Sequence, residues 1–144
     1  MLRIELLSWN EAQAEATPIR FAVFVEEQKV PLEMELDARD AVCVHALAYA
    51  GDGTVVGTGR LLPDGHIGRM AVLKQWRGQG AGSAIVEALI AAARERGDRE
   101  IVLEAQTHAL GFYRRHGFAE EGDVYPDAGI PHQTMRMSIL RCAD

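Results

Sequence analysis

Three glycines spaced two apart, Gly78, Gly80 and Gly82, separate a short apolar run, Ile67–Leu73, from an amphipathic stretch, Gly80–Arg96. Within that stretch Ala84, Ile85, Ala88, Leu89 and Ala92 recur at helical spacing, and Glu87, Arg94, Glu95 and Arg96 fall mostly off their face. Gly97 ends the helix, with basic residues in its last turn. A second short strand, Glu100–Ala105, follows. Two strands joined by a helix of this length lie parallel, and the crossover between them is right-handed. The middle of the chain is thereby committed to a sheet with a parallel pair.

The flanks read differently. Leu2, Ile4 and Leu6 alternate with Arg3 and Glu5, the period of a strand. Asn10 offers a helix cap before an Ala-rich segment that Pro18 interrupts. The expectation there is two short helices, or one that begins near Thr17–Pro18. Lys29–Asp40 is a loop with room for one helical turn. Val42–Ala50 and Thr54–Leu62 are strands about Gly51-Asp52-Gly53, a hairpin signal, and Pro63-Asp64-Gly65 makes the next turn. Thr107–His116 reads as a helix closed by Gly117, and His132–Leu140 as a last strand carrying Met135, Met137 and Ile139. The expected fold is α/β (α+β): a single mixed, mainly antiparallel sheet around the parallel strand–helix–strand unit, with helices on both faces.

A chain of 144 residues, 48% hydrophobic and 25% charged, fits one globular domain over 1–144. Its net charge of −6 disfavours a nucleic-acid binder. The acids cluster at Glu26, Glu27, Glu33, Glu35, Asp37 and Asp40. Such a stretch is either a solvated loop or an acidic rim that steers a cationic substrate. Cys43 lies in an apolar run and reads as a buried small hydrophobe, and Cys142 lies near the end. Two cysteines so far apart form no zinc set, and no metal site is expected. No apolar run has the length of a membrane span and no signal peptide is seen, so the cytoplasm is the expected compartment.

The glycine loop narrows the ligand. At a strand-to-helix junction such glycines uncover backbone N–H groups, and the helix N-terminus adds partial positive charge, so the loop suits phosphate. A turn that merely needs positive φ would look the same. A P-loop requires a Gly-Lys-Ser/Thr that is missing here, and a dinucleotide fingerprint places its third glycine one residue later.

At this point the chain resembles the GNAT acyltransferases. Arg77-Gly78-Gln79-Gly80-Ala81-Gly82 matches that family's Arg/Gln-x-x-Gly-x-Gly/Ala loop, preceded by the strand Gly68-Arg69-Met70-Ala71-Val72. Phe112-Tyr113-Arg114-Arg115-His116-Gly117-Phe118 is similar to its Phe-Tyr-x-x-x-Gly-Phe block. The ElaA/YjcF-like branch is resembled further, through Val23-Phe24-Val25-Glu26-Glu27-Gln28, Asp37-x-x-Asp40, His45, Ala105-Gln106-x-His108 and Gly129-Ile130-Pro131-His132 with Met135. The resemblance implies acetyl-CoA as co-substrate, with pantetheine along Met70, Ala71 and Val72, a strand splayed from its parallel neighbour with a bulge. It puts the pyrophosphate on Arg77, Gly78, Gln79, Gly80, Ala81, Gly82 and Ser83, with Phe112, Tyr113 and Gln106 beside the cofactor. Gln106 is a departure, since many members carry Asn there.

Acyl transfer to an amine needs a neutral amine, a polarised thioester carbonyl and a protonated leaving thiol. An N–H of Met70 or Val72 could polarise the carbonyl. The resemblance implies Tyr113 as general acid; the plain alternative is aromatic packing beside Phe112. For the base, Glu27, His132, His45 and His108 are candidates, with Glu27 and His132 favoured as pocket residues. Each has a structural alternative: Glu27 as a loop buttress, His45 as a satisfied strand histidine, His108 as packing in a first turn, His132 as a loop anchor. Trp76 is expected over the loop or at a subunit edge. The reaction expected is acetyl transfer to a primary amine of an unidentified substrate by direct attack in a ternary complex; the alternative is a silent acyl-CoA-binding regulatory module. A small-molecule amine is the expected partner, though amino sugars, polyamines and protein amino groups stay open. A homodimer is expected only by analogy with the superfamily.

Overall fold

The structure, a computed structural model, describes residues 2–139. β1 (Arg3–Leu7) follows the expected alternation and lies antiparallel to β2 (Val44–Tyr49). Between them the first helix departs from expectation. α1 (Trp9–Arg20) is capped by Ser8, not Asn10, in a capping box: Ser8 N–H donates to Glu11 Oε1 (3.1 Å), and Glu11 N–H to Ser8 Oγ (3.4 Å). The signal was Ser8-x-x-Glu11. Pro18 does not break the helix, which continues past it and then widens. Over Phe21–Glu27 the backbone is π-helical, closing with Gln28 N–H to Val23 O at 3.0 Å. A proline leaves one carbonyl of the preceding turn without its N–H partner, and the widened stretch begins three residues beyond it.

The segment expected as a loop carries two short turns, α2 (Leu32–Glu35) and a 3₁₀ turn, Ala38–Val42. Val42 therefore lies outside β2. The glycine hairpin joins β2 to β3 (Val55–Leu61), and the next turn leads to β4 (His66–Val72). A 3₁₀ turn, Lys74–Trp76, and the glycine loop enter α3 (Ala81–Arg96), and β5 (Glu100–Gln106) returns parallel to β4. The helix expected over Thr107–His116 is a 3₁₀ turn, Thr107–Ala109, followed by α4 (Leu110–Arg115).

Two strands then complete the sheet. β6 (Ala119–Asp127) was not legible, because its residues are mostly exposed and show no apolar alternation. β7 (Ile130–Ser138) begins two residues earlier than expected, and Leu140, the expected end, lies outside the described residues, as does Cys142. Ala128 (φ 53°) and Gly129 (φ 76°) form the two-residue hairpin turn, both in the left-handed region that a primed turn requires.

The order is β1-β2-β3-β4-β5-β7-β6, parallel only at β4–β5. The period of two places helices on both faces. On β2, Ala46 and Ala48 join the cluster of Ile85, Leu89 and Ala93 from α3, while Leu47 between them packs on Ala12 and Ala16 of α1. Gly59 lets α3 come close, since a Cβ there would lie 2.8 Å from Ile85 and 2.7 Å from the Met70 sulfur.

The acidic stretch divides between solvent and core. Glu26 and Glu33 are exposed, but Glu35 and Asp40 are buried. Arg20 donates to Glu35 (2.5 Å) and bidentately to Asp40 (2.9 and 2.9 Å). Arg60 reaches both Asp37 (2.8 and 2.9 Å) and Asp40 (2.8 Å). Buried charge persists only when paired in this way.

Candidate active site

The site opens where the parallel pair parts. β4 and β5 pair only at His66↔Val102 and Ile67↔Leu103, whereas β3 holds β4 as far as Val72. The β3–β4 register shifts between Thr58 and Arg60, a bulge, and opposite it Arg69 takes φ 49°. Its guanidinium is tied to the α2 segment, donating to Glu35 O (3.0 Å), Met34 O (3.3 Å) and Asp37 (3.2 Å). Those contacts hold a backbone conformation that costs a non-glycine residue energy. Leu73 N–H donates to Val56 O (2.9 Å). Pairing alternates along an antiparallel ladder, so Val72 turns its N–H and C=O into the gap. The splay and the bulge that the resemblance implied are both present.

At the end of β4 the gap runs into a cleft of ≈ 370 Å³ lined by Val72, Trp76, Arg77, Gly78, Gly80, Ala81, Gly82, Ser83, Phe112 and Arg115. Gly80, at the N-cap of α3, has φ 91°, and a Cβ on it or on Gly78 would meet nothing within 4 Å, so the loop borders open space. The first turn of α3 holds no acid. Its N–H groups, Arg77 and Arg115 together make an anion-favouring floor. The residues present thus fit a phosphate-bearing ligand continuing along β4. Gln79 faces elsewhere, onto a smaller cavity with Leu2, Asp52 and Trp76, and Ala71 turns its side chain to Ile19 and Val23 of the opposite face. Trp76 flanks the loop on both sides.

Ser83 is supported from behind. Its Oγ lies 3.0 Å from His116 Nε2, and His116 Nδ1 meets the Glu87 carboxylate. His116 was visible only as an unassigned member of the Phe-Tyr block, because nothing in the chain order joins it to Ser83.

Arg77 is engaged. It donates to both Glu27 carboxylate oxygens (2.7 and 2.7 Å) and, through Nε, to Val72 O (2.9 Å). The hydrogen bond from Arg77 holds the Glu27 carboxyl below its ordinary pKa. Gln28, next in sequence, exchanges amide hydrogen bonds with Gln106 (2.9 and 3.4 Å), whose Oε1 also meets His108 Nε2 (2.7 Å). This pairing ties the end of the first helix to the end of β5 and had no signal beyond the Glu-Gln block.

Tyr113 is buried in the core, edge-on to Phe112 (5.0 Å) and Phe118 (5.9 Å), and burial pushes its phenol up to about 12. Phe112 lines the cleft where Tyr113 does not. His132 stands opposite Gln106 in the β5–β7 register. Its Nδ1 lies 2.7 Å from Ile130 O, an acceptor only, so Nδ1 donates there and Nε2 is the ring nitrogen left over. Among the described residues no hydrogen bond joins Tyr113, Glu27 and His132. His45 is remote from the cleft: it is 1% exposed, bonded to Asp40 O (2.9 Å) and packed on Trp9, and burial lowers its pKa. Among the described residues no acidic, histidine or cysteine cluster could hold a metal, and no helix is long and apolar enough to cross a membrane.

A parallel pair that opens over a glycine-rich helix start, inside an otherwise antiparallel sheet, is the architecture of an acyltransferase. The family model of the GNAT acetyltransferase domain matches residues 11–139. The chain belongs to the GNAT acetyltransferases, in their ElaA/YjcF-like branch. It is 39% identical to Bacillus subtilis YjcF, an uncharacterized N-acetyltransferase, over 90% of this chain and 96% of the relative. Among solved structures it is similar to an acyl-CoA N-acyltransferase from Pseudomonas aeruginosa (TM-score 0.84, 32% identity, 95% of this chain and 99% of that one). Escherichia coli ElaA is similar too (TM-score 0.84, 27% identity, 95% and 99%).

Proposed function

We propose that the protein transfers an acetyl group from acetyl-CoA to a primary amine of a small molecule, by direct attack in a ternary complex. The observation that carries this reading is the splay of β4 from β5 leading into the cleft at the start of α3. Acetyl-CoA supplies the activated acyl group. The gap-facing Val72 backbone would pair with pantetheine and, with Met70, aim an N–H at the thioester carbonyl. Gly78 to Ser83 and Arg77 would hold the diphosphate. His132, through Nε2, and Glu27 are the groups available to take a proton from the acceptor's ammonium so that the neutral amine can attack. Tyr113, protonated throughout the neutral range, is the donor assigned to the leaving thiolate. A homodimer belongs to this reading by family analogy alone, and sedimentation velocity tests it.

The first experiment is thermal unfolding with saturating acetyl-CoA, with ATP and NAD as controls, followed by a primary-amine panel with thiol detection. A ligand at a hundredfold its Kd adds about 2.7 kcal/mol and should raise the midpoint by several degrees. A shift with ATP instead of acetyl-CoA would refute the reading. One observation favours a second reading: the Tyr113 side chain lies in the core and not on the cleft wall. A module that binds acyl-CoA without transfer would show the shift and release no thiol with any amine.

A further inference from the structure

Arg77 bridges three elements. One side of its guanidinium clamps Glu27 at the end of the first helix, and its Nε occupies Val72 O on the gap-facing edge of β4. Both partners are groups that an acyl-CoA ligand and its acceptor would need. Val72 O is a pairing group for a chain laid along β4, and the Glu27 carboxylate is spoken for while the guanidinium holds it. Arg77 also lines the cleft below the N–H groups of α3, within reach of any phosphate seated there. A carboxylate and a phosphate recognise the same fork of donors, so they compete for it.

Building on the acyl-CoA reading, we propose that Arg77 is a two-position residue: in one position it holds Val72 O and Glu27, and in the other it meets the diphosphate of bound acyl-CoA and releases both. The clamp is then an autoinhibitory contact that the acyl donor itself undoes. Release also returns Glu27 towards the ordinary carboxylate range, since the Arg77 hydrogen bond is the chief cause of its depression. Glu27 and Arg77 are each partly exposed, so the competing contact is modest in strength.

The proposal predicts opposite signs for two measurements on one variant. CoA itself is the probe, titrated calorimetrically at fixed salt into the full chain, with folding checked by thermal unfolding. Glu27→Gln should bind CoA about two- to fivefold more tightly, because the competitor for Arg77 has lost its charge. The same variant should lose turnover. Glu27→Ala should tighten CoA in the same way, and in an Arg77→Gln background the gain should vanish. A residue that merely buttressed the loop would lose affinity and turnover together, so weaker or unchanged CoA binding by Glu27→Gln overturns the proposal. If the wild-type protein binds no CoA, the acyl-CoA reading fails first and the two-position arginine fails with it. Wild-type binding without a gain in the variants overturns the arginine alone.

Discussion

Burial alone raises the Tyr113 phenol. A group so placed can donate a proton only as the thiolate leaves, in a concerted step, because its own acidity lies well below that of a thiol. Tyr113→Phe should therefore lower kcat by about a hundredfold or more while leaving the acetyl-CoA Kd nearly unchanged. Steady-state kinetics and calorimetry check the two halves, and an unchanged kcat would remove Tyr113 from the reaction. At this scale the chain order was a partial guide. By residue type it offered Glu27, His132 and His108 as candidate bases, whereas Tyr113 came from the family resemblance; it left His45 open between pocket and core. Burial and the Asp40 carbonyl decide that histidine for the core. Gln28 with Gln106, and Ser83 with His116, were beyond its reach, because each pair joins residues far apart in the chain that only the packed elements bring together.

Among the elements, the well-patterned ones were legible and the composite ones were not. α3 and β5 follow from apolar spacing and the flanking glycines, whereas β6 is an edge strand whose exposed Glu121 and Asp123 carry no periodic mark. Charge of this kind keeps an edge from pairing with other chains. α1 shows how a local signal can be outweighed. Pro18 argues for a break, yet the Ser8–Glu11 box starts the helix early and packing of Ala12, Ala16 and Ile19 on the sheet carries it through. Ser8→Ala should cost about 1 kcal/mol in chemical denaturation, and Asn10→Ala much less. Equal losses for the two would reject the assignment of the cap. The glutamate that Arg77 clamps ends the π-helical turn following α1, so the same helix that covers the sheet also presents Glu27 to the glycine loop.

Across the whole molecule, the buried ion network fastens the first helix, the α2 segment, β3 and β4 to one another. Its pH dependence follows from direction. Hydrogen bonds from Arg60 hold Asp37 far below the usual carboxylate range. Burial alone would raise Asp40, but Arg20 and Arg60 outweigh it and keep it low as well. His45 is also lowered, by burial. All three resist protonation in the folded state, so the unfolded chain takes up protons first as pH falls. Their stabilisation is present at neutral pH, begins to be lost below about 6.5 for His45, and is lost further below about 4 for the aspartates. Denaturation midpoints measured from pH 7 to pH 3 should fall in that order, and Asp37→Asn should flatten the acid limb. The chain's own pattern determined the parallel unit, the glycine loop and the family, because these rest on spacings within a few turns of one another and on backbone freedom that only glycine supplies. Tertiary structure alone decided which acids are buried, which histidine meets the core, and that Arg77 rests on Glu27 and Val72. Those outcomes depend on which side chains a folded sheet brings within hydrogen-bonding distance, and no local pattern encodes that.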